Sequence, residues 1–382
     1  MDKFSKKGIE LNSESGIQEA IRRFFQDAEK IFDAVMLPMR VPAKDSYAWI
    51  MIKDREYLKD ATPIAPIMPV NGAKALKRFT RKGEARLKVA ALMRPCEIRA
   101  AVELTKLNQI NLDDVILCSY DCPGALPMQD YISEPEAGEA KFQYLLDNDI
   151  WNSAEVKPVC RICDKFSLPA SDLHFAIEQG KVIIIANSEK GAEILKDMNL
   201  PGAYLLENWD RSIQQIKQKR LAAKEQNFAE TKNKIEGFEK LLETFSVCIG
   251  CHNCQSACPI CYCRQCYFDS VTAKPNADVV MMKMEQRGGL TLPMDRIMFH
   301  TGRMAHMSLS CVSCGLCSDA CPVDIPVAEI FSYVGSQTQQ AFEYCAGESL
   351  GDALPMKEYK SDELSELKAI LSDATAQEVA DE

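Results

Sequence analysis

The stretch Cys248-Ile249-Gly250-Cys251-His252-Asn253-Cys254-Gln255-Ser256-Ala257-Cys258-Pro259 has a twin further along the chain. The twin is Cys311-Val312-Ser313-Cys314-Gly315-Leu316-Cys317-Ser318-Asp319-Ala320-Cys321-Pro322. Both read C-x2-C-x2-C-x3-C-P, the spacing that holds two [4Fe–4S] clusters in a bacterial-type ferredoxin module. The short gaps let one tight loop aim three thiolates at one cubane, and the fourth cysteine starts the next helix and reaches the other cluster. The expected ligand sets are therefore crossed: Cys248, Cys251 and Cys254 with Cys321, and Cys311, Cys314 and Cys317 with Cys258. Two such clusters side by side carry single electrons. Zinc sites use paired CxxC or mixed Cys/His sets rather than two runs of four, and disulfides need an oxidising compartment.

Working outward, the chain has 382 residues and 47% hydrophobic content, enough for two to three packed domains. Its formal charge of −10 argues against a nucleic-acid partner. No run approaches the length of a membrane span, and Met1-Asp2-Lys3-Phe4-Ser5-Lys6-Lys7 is not followed by the apolar core of a secretory signal. Seventeen cysteines in such a chain point to the cytoplasm, where thiols stay reduced and bind metals.

Between Ser13 and about Val35, Ile17, Ala20, Ile21, Phe24, Phe25, Ala28, Ile31 and Phe32 recur at helical spacing, which predicts an amphipathic helix packed on a core. Pro63, Pro66 and Pro69 make the end of the next segment extended. From Leu87 onward strands alternate with helices. Leu87–Leu92, Val115–Cys118 and Val182–Ala186 read as strands, with helices from about Glu97 to Leu107 and from Glu189 to Met198. That alternation predicts an α/β domain, whose chemistry collects at the carboxyl ends of its strands. Asn208 to Phe245 lacks proline and reads as one long exposed helix joining two domains. The insert between the two cysteine runs holds Cys261, Cys263 and Cys266, expected to pack and tune sulfur by hydrogen bonding. It also holds Met281-Met282-Lys283-Met284, expected in a core or a subunit contact. His300 and His306 fall on a helix before the second run and read as structural. Beyond Gly347 the tail is acidic, with a surface helix expected from Lys357 to Leu371.

Cys160-Arg161-Ile162-Cys163 supplies two ligands on one turn, and Cys96 and Cys118 stand at two expected strand ends. Those four could hold a further [4Fe–4S] cluster, with Cys122 competing for the fourth place and plain structural thiols as the alternative.

Several segments resemble the beta subunits of coenzyme F420-reducing hydrogenases. They are Ala91-Leu92-Met93-Arg94-Pro95-Cys96-Glu97-Ile98-Arg99-Ala100, Ile116-Leu117-Cys118-Ser119, Val159-Cys160-Arg161-Ile162-Cys163-Asp164 with Pro169-Ala170-Ser171-Asp172-Leu173, and Lys181 to Leu195. The chain as a whole resembles most the beta subunits of F420-type formate dehydrogenases, which join a flavin domain to a two-cluster module. The resemblance implies Cys96, Cys118, Cys160 and Cys163 as ligands of a third [4Fe–4S] cluster, with Cys122 spare. It implies an FAD beside that cluster and coenzyme F420 as the hydride partner.

No GxGxxG follows a strand, so a Rossmann site is not indicated. By the resemblance the FAD candidates are Asn71, Gly72, Lys74, Arg94, Asp121, Asn187 and Ser188. Lys74 and Arg94 could pair with phosphates, and Gly72 could admit a close backbone approach; the ordinary alternatives are a turn glycine and a surface arginine.

The resulting expectation is an α/β (α+β) flavin-binding domain followed by a 2×[4Fe–4S] ferredoxin domain. Its divisions are an N-terminal helical segment 1–45, the FAD and [4Fe–4S] domain 46–205, a helical linker 206–246, the ferredoxin-like domain 247–346 and an acidic tail 347–382. Such a chain would serve as the electron-transfer subunit for a molybdenum or tungsten formate dehydrogenase catalytic subunit. Its rivals are the same subunit in a hydrogenase or heterodisulfide-reductase-like complex, and a flavin-free ferredoxin adaptor.

Overall fold

A computed structural model describes residues 7–81, 87–148, 150–151, 154–273, 276–289, 296–355 and 357–358. Its strands are β1 (Lys7–Leu11), β2 (Ala34–Arg40), β3 (Tyr47–Ile52), β4 (Val89–Met93), β5 (Val115–Tyr120), β6 (Leu173–Glu178), β7 (Lys181–Ala186) and β8 (Tyr204–Leu205). They form one sheet in the order β3-β2-β4-β5-β6-β7-β1-β8. The central β2, β4, β5 and β6 run parallel, and antiparallel strands extend both ends.

The central strands are apolar throughout because both faces are covered. Successive side chains point to opposite faces, so each strand feeds two cores. Leu37, Leu92, Ile116 and Phe175 face helix α1 (Ile17–Asp27), which buries Ile17, Ile21, Phe24 and Phe25. Met36, Ala91, Met93 and Leu117 face the other core, shared with α2 (Gly72–Thr80) and α3 (Pro95–Lys106). That second core runs on into Phe245, Ile260, Leu309 and Phe331, so the cysteine-rich segment packs on the same apolar body as the sheet.

Polar anchors on α3 complete the junction. Arg99 donates from Nε and Nη2 to the Ala346 carbonyl at 3.0 and 2.7 Å. The fully buried Glu103 carboxylate accepts from the Tyr344 hydroxyl at 2.5 Å and from the Gly347 amide at 2.7 Å. Gly347 has φ 70, and a Cβ there would sit 2.3 Å from the Arg99 carbonyl oxygen, so this crossing of backbones requires glycine.

Three expectations change. Segment 1–45 is not merely helical: β1 and β2 arise from it, and α1 ends at Asp27 because Ala34 and Val35 pair with β4. The helix expected over 208–245 is two helices, Glu207–Ile235 and Phe238–Ser246, broken where Gly237 adopts φ 87. The Met-rich segment is helical over Ala277–Arg287 but buries nothing; Met281 and Met282 are exposed. Most of the acidic tail, with the helix expected from Lys357 to Leu371, lies outside the described residues. Among the described residues no helix is long and apolar enough to cross a membrane.

Candidate iron–sulfur site

The two cysteine runs fold into matching loops. Gly250 and His252 in the first, and Ser313 and Gly315 in the second, take positive φ at equivalent positions. These left-handed turns curl each loop around its sulfurs. Cys254 lies within electrostatic reach of Cys248, Cys251 and Cys321. Cys258 acts in the same way on Cys311, Cys314 and Cys317. The structure thus brings the fourth cysteine of each run to the other run. All seventeen cysteines are free of disulfides.

This donor set suits a cationic cluster. Burial pushes the Cys314 thiol up to about 12, and raises Cys311 and Cys317 as well. A thiolate enclosed in this way needs a compensating cation, which bound iron supplies. Hydrogen-bond donors already point at the sulfurs. Gly250 N–H lies 3.5 Å from Cys248 Sγ, and His300 Nε2 lies 3.4 Å from the same atom. Burial, reinforced by Arg303, pushes His300 down to about 3, so its ring is neutral. Arg303 Nη1 donates to Cys254 Sγ at 3.0 Å. Cys261 holds the Cys258 thiol below its usual range, and its own thiol donates to Met307 Sδ at 3.4 Å.

A third group of sulfurs forms at the carboxyl end of β4 and β5. Cys96, in the first turn of α3, is within electrostatic reach of Cys122, Cys160 and Cys314. Cys160 in turn faces Cys122, and Cys163 faces Cys160. Burial pushes Cys163 up to about 11. Cys118 is elsewhere. β5 continues to Tyr120, so Cys118 lies inside the strand rather than at its end, fully buried in the core beneath α1. The residues that leave the sheet are Asp121 and Cys122. The geometry thus sets Cys122, rather than Cys118, beside Cys96 and Cys160. Arg94 Nη1 lies 3.4 Å from Cys122 Sγ.

This group abuts the ferredoxin loops. Beyond the Cys96–Cys314 approach, Lys157 and Asp319 form an ion pair at 3% and 7% exposure. Burial alone would lower the Lys157 ammonium, but Asp319 and Cys160 outweigh it and raise it. The pair clips the loop before Cys160 to the helix that carries Cys317.

Each of the seven flavin candidates is engaged by the protein itself. Asp121 is wholly enclosed, accepting from Trp209 Nε1 at 2.7 Å, Ile177 N–H at 2.8 Å and Ser167 at 2.5 Å, with His174 Nε2 2.9 Å away. Asn187 donates to the carbonyls of Pro169 and Ser171. Ser188 caps the helix Glu189–Met198 and donates to Asp172. Lys74 reaches across to the Ser256 carbonyl. Asn71 caps α2, and Gly72 N–H donates to Glu97 at 2.7 Å; a Cβ at Gly72 would sit 2.7 Å from Met93 Sδ and 2.8 Å from the Trp49 ring. Arg94 is 4% exposed, not a surface charge, and donates to the carbonyls of Gly124 and Ala65. What does exist at this end is a cavity lined by Tyr47, Trp49, Met68, Arg94, Glu97 and Tyr120. Arg94 is the candidate that lines it.

Cys263 is exposed, and Cys345 Sγ donates to Glu348 at 3.3 Å. Sequence reasoning passed over Arg303, Lys157 and Asp319. A detectable signal for the first was His300-x-x-Arg303, which puts an imidazole and a guanidinium on one helix face inside the insert.

Residues 244–325 match the 4Fe-4S dicluster domain family. The F420-dependent formate dehydrogenase subunit beta of Methanocaldococcus jannaschii is 26% identical over 87% of this chain and 91% of its own length. The F420-dependent formate dehydrogenase 1 subunit beta of Methanococcus maripaludis is 28% identical over 68% of this chain and 73% of its own. Both relatives resemble this chain over most of its length, and with the dicluster match they make it an oxidoreductase subunit with a 4Fe-4S domain. A chain of the F420-reducing [NiFe] hydrogenase complex from Methanosarcina barkeri, in a xenon derivative, aligns with TM-score 0.44 and 12% identity over 60% of this chain and 93% of its own. That likeness is too distant to carry any conclusion.

Proposed function

We propose that this chain is the beta subunit of a formate dehydrogenase complex. It is an iron–sulfur flavoprotein that passes electrons between FAD and three [4Fe–4S] clusters, with coenzyme F420 as hydride partner. Formate itself is oxidised on a molybdenum or tungsten catalytic subunit. Two relatives that bear the name of formate dehydrogenase beta subunits support the choice of complex.

The observation that carries the electron-transfer reading is the unbroken file of sulfur groups. Cys248, Cys251, Cys254 and Cys321 hold one cluster, and Cys258, Cys311, Cys314 and Cys317 hold its neighbour. Cys96, Cys122, Cys160 and Cys163 hold the third, next to the second through Cys96 and Cys314. The FAD would be held in domain 46–205, with Arg94, whose Nη1 lies 3.4 Å from Cys122 Sγ, as the candidate that touches the third sulfur group. FAD supplies the exchange between two-electron hydride chemistry and single electrons; the protein supplies placement and tuning. The linker 206–246 joins this domain to the ferredoxin-like domain 247–346.

Anaerobic purification of the chain tests the proposal. About twelve irons per chain follow from three clusters, and about eight would remove the third. Flavin absorption and oxidation of reduced F420 by the loaded chain are expected. Iron without flavin would make the chain a ferredoxin adaptor, and a colourless zinc protein would overturn the whole reading.

A further inference from the structure

Arg303 projects from the helix Arg296–Met307, inside the insert that separates the two cysteine runs. It is 2% exposed. Its guanidinium lies over the rings of Phe331 and Phe299, 4.7 and 5.6 Å from their centroids. Nη1 donates to Cys254 Sγ at 3.0 Å, and Nη2 to the Cys254 carbonyl at 3.2 Å. The charged groups acting on it most strongly are all thiols: Cys254 first, then Cys261, Cys258 and Cys317. Cys254 belongs to one crossed set and Cys258 and Cys317 to the other, while Cys261 follows the first run. A buried cation without a counter-charge is costly, and here the facing partners are the sulfurs of two clusters.

We propose that Arg303 is a positioning residue that raises the reduction potential of both ferredoxin clusters, most strongly the one held by Cys254. This rests on the cluster reading above. Each reduction adds one electron, and so one negative charge, to a cluster. A fixed positive charge at the sulfurs favours the reduced form, and hydrogen bonds to cluster sulfur act in the same direction. Cys254 receives both the charge and a direct N–H bond, whereas the Cys258, Cys311, Cys314 and Cys317 set feels only the charge. The two neighbours are thereby made unequal, and an added electron settles on the Cys254 side.

The test uses the full chain carrying Arg303→Gln and Arg303→Lys, with iron counted and the clusters titrated with dithionite under EPR. Arg303→Gln is expected to keep wild-type iron and to make reduction of one cluster about tenfold less favourable, a fall of about 59 mV for one electron. The second cluster falls less. The more affected signal is the one that Cys251→Ser also perturbs. Arg303→Lys, which keeps the charge, recovers part of the shift. Full iron with unchanged potentials in Arg303→Gln overturns the inference. So does a loss of iron in Arg303→Gln with wild-type potentials in Arg303→Lys, or a loss of iron in both, since the side chain would then serve assembly. A wild-type chain without iron would instead sink the cluster reading itself.

Discussion

The doubled cysteine module and the sheet domain gather sulfur by different rules. In the module, six of the eight proposed ligands sit on two loops whose turns repeat residue for residue, Gly250 matching Ser313 and His252 matching Gly315. Spacing alone dictates which thiols meet. In the sheet domain the sulfurs arrive from α3, from the end of β5 and from the short helix Pro158–Arg161. There the outcome hangs on where a strand stops. Two more residues of β5 bury Cys118 and deliver Cys122.

That contrast can be broken at several points. The largest effect is expected from Cys321→Ser, which should remove about four irons and abolish the same EPR signal as Cys251→Ser; Cys258→Ser should share its lost signal with Cys311→Ser. A pairing of signals by run, rather than across runs, would refute the crossed sets. In the sheet domain, Cys122→Ser should bring total iron from about twelve to about eight, whereas Cys118→Ala should keep all iron and cost only about 1 kcal/mol of stability. Retention of the third cluster in Cys122→Ser would restore Cys118 as ligand. At the seam between the regions, Lys157→Met strands a buried carboxylate and should cost about 3–5 kcal/mol in denaturant unfolding. The double variant Lys157→Met/Asp319→Leu should recover most of that loss. Smallest is Ser188→Ala, which loses a helix cap worth about 1 kcal/mol and should leave flavin content unchanged; lost flavin would return Ser188 to the cofactor.

The physical origin of what the sequence disclosed follows the same division. The cysteine runs are legible because their ligands are local and their spacing is rigid. The strands at Val115 and Val182 and the helix Glu189–Met198 are legible because an apolar run flanked by turn residues has few alternatives. Cys118 and Cys122 were not separable, since a strand end is set by pairing with β6: Tyr120 opposes Phe175, a partner far away in the chain. Asp121 is a flavin candidate by the resemblance, and in the fold its carboxylate ties β6 to Trp209. The helix expected to end at Val35 gave way to β2 because Ala34 and Val35 find their partners in β4. Arg303 announces nothing by itself; its meaning comes from two loops closing around it.

The apolar body shared by the sheet and the cysteine-rich segment has a consequence for biogenesis. Cys96 leaves the ribosome long before Cys321, and α3 needs Tyr344, Ala346 and Gly347 to cover Arg99 and Glu103. The buried side of α3 is therefore completed only when the last part of the polypeptide wraps back, so early and late segments of the chain close as one unit.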